Sequence, residues 1–191
     1  MTGGIFLDQS SQNHKEKLYA QIQDQYGKIV YTYTCNLKQA ARLKKNAKLL
    51  VWLQIILSAI SSGSFLATVI LDITKLAWIG GIMSALLLVI NSILKEKDFS
   101  GEQKRYTDTA SKLWLIRESY VSLLTDFDNL SETEIISRRD DLIAKTGKVY
   151  SSAPQTDKKA YAETQEALKN NEEQFFTQEE LNKLLPAQLR K

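Results

Sequence analysis

The chain has 191 residues, 43% of them hydrophobic and 25% charged, with a formal net charge of +3 and a mean hydropathy of −0.26. These averages describe a soluble domain, yet the charge is uneven: residues 1–98 carry 11 Lys/Arg against 6 Asp/Glu, 99–150 carry 8 against 9, and 151–191 carry 6 against 7. No basic tail suits a nucleic acid, and a lone Cys35 and a lone His14 exclude an internal disulfide, a histidine triad and a histidine-rich metal site.

Residues 1–14 are expected to be flexible, and the polar stretch before residue 49 offers no cleavable signal. From Lys15 the apolar positions fall into helical order. Ile22, Tyr26, Ile29, Tyr33, Asn36, Ala40, Leu43, Ala47 and Leu50 alternate steps of four and three, which is a heptad seam. Gly27 weakens this helix without stopping it, by up to about 1 kcal/mol relative to Ala. One helix is therefore predicted from about residue 15 to Leu71. Asn36 is the polar member of the seam, a type of position that can fix register. The seam fits either helices of its own chain or another copy; packing within the chain is expected.

Leu49–Leu71 and Leu76–Leu94 contain no charged side chain and are separated by Asp72-Ile73-Thr74-Lys75. At about 1.5 Å of rise per residue, each run is long enough to cross a hydrocarbon layer of roughly 30 Å. Core helices of soluble domains are usually shorter and carry charge on one side. Arg42, Lys44, Lys45 and Lys48 precede the first span and Lys95 and Lys97 follow the second, whereas the turn offers only Lys75. Lys and Arg favour the cytoplasmic side, so both termini are expected inside. Trp52 and Trp78 sit near opposite ends of the hairpin, where indoles anchor at the interfaces.

Beyond the second span, residues 98–102 predict a break, followed by an amphipathic helix over about 102–127. Ser131-Glu132-Thr133-Glu134 is a capping box opening a helix to about residue 150. Pro154 breaks the chain, Thr156 or Asp157 can cap a polar helix reaching about Asn171, and Thr177-Gln178-Glu179-Glu180 caps a last short helix. The sequence thus divides into a flexible 1–14, a juxtamembrane helix 15–48, a transmembrane hairpin 49–94 (spans 49–71 and 76–94), a cytoplasmic helical region 95–150 and a helical tail 151–191. The fold class is an all-α membrane protein: a two-span hairpin with a long N-terminal juxtamembrane helix and C-terminal cytoplasmic helices.

Catalytic chemistry has little to work with. There is no phosphate-binding glycine loop and no paired-cysteine motif. Asp126-Phe127-Asp128 reads as a helix end, and Arg138-Arg139-Asp140-Asp141 as a solvated face. Neither an enzyme, nor a metal, nor a cofactor is expected. The spans carry more information. Gln54, Ser58, Ser61, Phe65 and Thr68 form one stripe, read as pore-lining when several copies assemble. Ala59, Gly63 and Ala67 on the first span, and Gly80, Gly81, Ser84 and Asn91 on the second, read as the faces that pack the helices together. The alternative is that the hydroxyls bond back to their own helices and the stripe only glues helices.

The layout resembles the SLATT family, the two-span effectors associated with SMODS nucleotidyltransferases and SLOG sensor domains. The resemblance rests on QAARLKKNAKLLVWLQIILSA, on the close hairpin, and on YTDTASKLWLIRESYVSLLTDFDNLS, which is similar to the branch found beside reverse transcriptases. It covers roughly residues 15–150. It implies an effector of bacterial anti-phage defence that forms a homo-oligomeric pore in the inner membrane when a partner nucleotidyltransferase or reverse transcriptase senses infection. It supplies no catalytic residues, and the neutral-to-acidic tail argues against direct binding of a nucleotide messenger. A non-conducting anchor that recruits a partner through its cytoplasmic helices is the competing reading.

Overall fold

A computed structural model describes residues 3–71, 74–186, 188 and 190. It contains α1 (Gly3–Leu71), α2 (Thr74–Glu96), α3 (Phe99–Asp126), a 3-10 turn (Phe127–Asn129), α4 (Glu132–Ser152), α5 (Lys158–Lys169) and α6 (Gln178–Leu184), with no strand among the described residues. Asp72 and Ile73 of the expected turn lie outside the described residues.

The 69 residues of α1 make it the axis of the molecule, about 100 Å long at 1.5 Å per residue. It starts earlier than the sequence predicts, because residues 3–14 continue the helix. Adding turns to a helix already nucleated by packing costs little. α3 returns antiparallel along the first half of α1, so that Leu43 meets Tyr106 near the membrane and the Tyr19 ring meets Phe127, just past α3, at the far end. Ile22, Ile29, Leu113, Tyr120 and Ile135 are almost wholly buried in this core. The predicted seam is therefore filled by the chain's own helices. Asn36 is buried in it, donates from Nδ2 to the Thr32 carbonyl at 2.8 Å, and leaves its Oδ1 without a partner among the described residues.

Local signals set the remaining boundaries. The break after the second span is shorter than expected: only Lys97 and Asp98 separate α2 from α3, and the Asp98 carboxylate accepts from the Gly101 amide at 2.8 Å. Both capping boxes form, Ser131 with Glu134 and Thr177 with Glu180. Asp157 caps α5, which ends at Lys169.

Candidate functional site: a polar groove along the hairpin

The heptad seam does not stop at Leu50. Continuing its steps of four and three gives Gln54, Leu57, Ser61, Ser64 and Thr68, and each is half-buried or buried against α2. α2 answers with Leu76, Gly80, Met83, Leu87, Ile90 and Leu94, its own sheltered positions. An unbroken helix carries its rotation with it, so the register fixed by α3 in the first half of α1 also decides which side of span one meets span two. The helices come close at Gly80, where an added Cβ would lie 3.3 Å from the Ser64 Cβ. Across the same seam the Ser61 and Ser84 hydroxyls are 2.7 Å apart, and Ser61 Oγ lies 3.4 Å from the Gly80 carbonyl.

Gly80 and Ser84 of the expected packing face do meet span one, but the face expected on span one is reversed. Gly63 has nothing within 4 Å of an added Cβ and Ala59 is exposed, so these two turn away from α2, while Ala67 at the edge of the row is half-buried. Gly81 is equally open, and Asn91 is exposed. Within the chain it is Gln54, Ser61 and Thr68 that approach span two, and Thr68 also donates back to the Ser64 carbonyl. Ser58 and Phe65 stay outside the seam, Phe65 at 68% exposure.

Beside the seam an open groove of about 690 Å³ runs between the spans, lined by Ser61, Ser62, Phe65, Leu66, Thr68, Ala77, Gly80, Gly81 and Ser84. Residues that the sequence divided between a pore stripe on span one and a packing face on span two thus line one concavity. Extending the steps of four and three past Leu50 would have revealed it. Both spans are otherwise almost entirely unburied, with Trp52 and Trp78 55% and 76% exposed near the two ends.

The basic collar below the spans is split in two. Lys44, Lys45, Lys48, Lys95 and Lys97 are exposed, with Lys97 over the Phe99 ring. Arg42, grouped with these anchors from sequence, is instead taken by α5. It binds both Asp157 oxygens and approaches Glu163 at 4.0 Å. The Arg42 guanidinium, helped by backbone amides at the start of α5, holds the Asp157 carboxyl well below the usual carboxylate range. At the other end of α5 the backbone turns through Glu172 (φ 50°) and Gln174 (φ 79°), and Lys38 holds both Glu173 oxygens at 2.8 and 2.9 Å. α5 buries only Ala160, Thr164 and Ala167, so these ion pairs and the Tyr31 hydroxyl bond to the Tyr161 carbonyl do much of the fastening.

The fold and groove define a two-span α-helical membrane protein whose hairpin and helical bundle share one helix. The chain belongs to the SMODS and SLOG-associating 2TM effector domain family 4, whose profile matches residues 18–180. It is thus a membrane effector of the kind that serves in defence systems, and the family's name ties its members to SMODS and SLOG partners. Comparison with curated proteins and with solved structures finds no match for the chain.

Proposed function

We propose that the chain assembles into a homo-oligomeric pore in the bacterial inner membrane and depolarises the infected cell when a partner nucleotidyltransferase or reverse transcriptase signals infection. The observation that carries this reading is the hydroxyl-lined groove on the open side of the hairpin. Ser61, Ser62 and Ser84 gain nothing from facing acyl chains, and polar residues at this depth usually face other helices or water. One hairpin cannot enclose water, so the groove becomes a lumen only when several copies turn it inward. The orientation is multi-pass with both termini cytoplasmic, as the Lys/Arg flanks favour. The signal arrives through the partner protein, since the tail of 6 Lys/Arg against 7 Asp/Glu does not favour an anionic messenger.

Liposomes containing the pure full-length protein test the reading. Release of a trapped small dye on addition of protein and its activated partner supports a pore. Retained dye, with the protein inserted and the partner bound, supports the non-conducting anchor instead.

A further inference from the structure

The α1/α3 pair is unevenly built along its length. Its large core cluster joins Leu18, Ile22 and Ile29 of α1 to Leu113, Tyr120 and Leu123 of α3. The end next to the spans has only a small cluster, Ala40, Leu43 and Tyr106 with Phe99 packed against it. Between the two clusters α1 buries Thr34, Asn36 and Gln39, and α3 buries Thr109. Asn36 is 1% and Gln39 8% exposed, yet Asn36 Oδ1 and Gln39 Oε1 have no hydrogen-bond partner among the described residues. A buried oxygen without a donor has lost its hydration for no return, so this layer weakens the seam and gains from admitting water.

Residues 154–175 cross the weak end. Tyr106 donates its hydroxyl to the Gln155 carbonyl at 2.6 Å, Arg42 holds Asp157, and Lys38 holds Glu173. The segment is thus tied to both α1 and α3 just before the spans. Its fastenings are half-exposed: the Arg42 and Lys38 side chains are 21% and 28% exposed, their acidic partners 47% and 43%. Ion pairs this open to water are individually weak and are screened by salt. The apolar contribution is small as well, since α5 buries only Ala160, Thr164 and Ala167. Past α5, Glu172 and Gln174 take the left-handed backbone that residues other than glycine seldom adopt, one on each side of the clasped Glu173. Backbone strain therefore sits at the clasp, and detachment relieves it.

We propose that residues 154–175 are a releasable strap, an autoinhibitory contact that keeps the end of the α1/α3 pair next to the spans shut and so holds the hairpin at rest. This rests on the reading of the hairpin as part of a pore. α1 passes unbroken from Lys38 and Arg42 into span one, so a restraint on its rotation at those residues reaches Ser61 and Ser64. With the strap detached, water enters the Asn36/Gln39 layer and the small cluster of Ala40, Leu43 and Tyr106 parts. Span one is then free to turn against span two.

The test uses full-length protein in vesicles of phosphatidylethanolamine and phosphatidylglycerol loaded with a small dye, with no partner protein added. Lys38→Glu/Arg42→Glu turns both clasps repulsive. In a Cys35→Ser background, spin labels at Ala162→Cys on α5 and Ser122→Cys on α3, both exposed positions, report where the strap lies. The expected result is a longer and broader distance between the labels, with dye release several-fold faster than from wild type. Adding Glu173→Lys restores one pair with its charges exchanged, and should bring both readings back toward wild type, which a merely misfolded variant would not do. An unchanged label distance overturns the proposal, because the ion pairs then do not hold the segment. So does a leak that Glu173→Lys fails to reduce. A detached strap without leakage overturns it too, and Phe65→Ser vesicles separate the causes: if they leak, the pore reading stands alone, and if they do not, both readings fall.

Discussion

α1 runs one heptad register through two solvents, and its two halves answer differently. In the half outside the spans the seam presents Ile22, Ile29 and Leu43, buried against Leu113, Tyr120 and Tyr106. In the membrane half the same positions carry Gln54, Ser61, Ser64 and Thr68 around Gly80. Water rewards the burial of large apolar side chains, so the seam outside the spans is built from them. Lipid is as apolar as leucine and gives no such reward, so close approach and interhelical hydrogen bonds must hold the hairpin. The spacing is common to both halves, and the driving force is not.

The largest expected effect follows in the bundle outside the spans. Leu113 is fully buried, and Leu113→Ala should cost about 2–5 kcal/mol. Denaturation of the detergent-solubilised protein, followed by loss of helical signal, would read this as a lower midpoint for the bundle. An unchanged midpoint would mean that the α1/α3 seam is not the main core.

In the membrane half the sensitive position is Gly80. A Ser61→Cys/Ser84→Cys pair in a Cys35→Ser background should form a disulfide on mild oxidation. Gly80→Leu should suppress it by driving its side chain into Ser64, whereas Gly63→Leu and Gly81→Leu should leave it intact because both positions are open. Suppression by Gly63→Leu instead would return the small row to the hairpin interface.

α5 offers a smaller effect with a sign in pH. Tyr31, Lys38 and Arg42 lie along one side of α1 under α5 and its flanks, and buried Cys35 stands among them. Asp157→Asn should speed alkylation of Cys35 and amide exchange in α5. Because the folded carboxyl is held below its unfolded value of about 3.9, its contribution is complete above that pH and fades only as pH falls through the depressed folded value. Protection of α5 should thus persist to mildly acidic pH in the wild type and be weaker at every such pH in Asp157→Asn. Equal exchange in the two proteins would assign α5's attachment to packing alone.

The smallest effect is at the Ser61–Ser84 pair. Ser84→Ala should cost about 0.6 kcal/mol of hairpin association, the typical value for one interhelical hydrogen bond in lipid. The disulfide assay cannot read that substitution, but the distance between spin labels at Leu57→Cys and Leu87→Cys should remain within the wild-type distribution and only broaden. A wholly separated hairpin would give the hydroxyl pair a role far beyond its strength.

Much of this arrangement was legible in the sequence. The seam from Ile22 to Leu50 was readable because burial in water forces apolar residues into register, and the boxes at Ser131 and Thr177 were readable because a helix start needs local acceptors for its free amides. The rotation of span one was not. Small and hydroxyl residues occur on both of its sides, and hydropathy does not distinguish a helix-facing serine from a lumen-facing one. The decisive information lay outside the span, in the α1/α3 seam that turns Ser61 and Ser64 toward α2 and leaves Gly63 outside. The reach of α1 back to Gly3 was missed for a related reason: the helix is sustained by packing further along, and nothing in the local sequence announces it.

The central claim is that the open groove of the hairpin faces a shared lumen, and Phe65 is the side chain that tests it most directly. Phe65 stands 68% exposed at the groove, a large apolar group beside Ser61 and Ser62. A ring of Phe65 side chains would close such a lumen by excluding water. Membrane-potential dye fluorescence should be compared in cells expressing wild-type protein or Phe65→Ser at matched levels and without any trigger. Greater depolarisation by Phe65→Ser is the predicted result, and reduced depolarisation would contradict the account by showing that Phe65 serves assembly rather than closure.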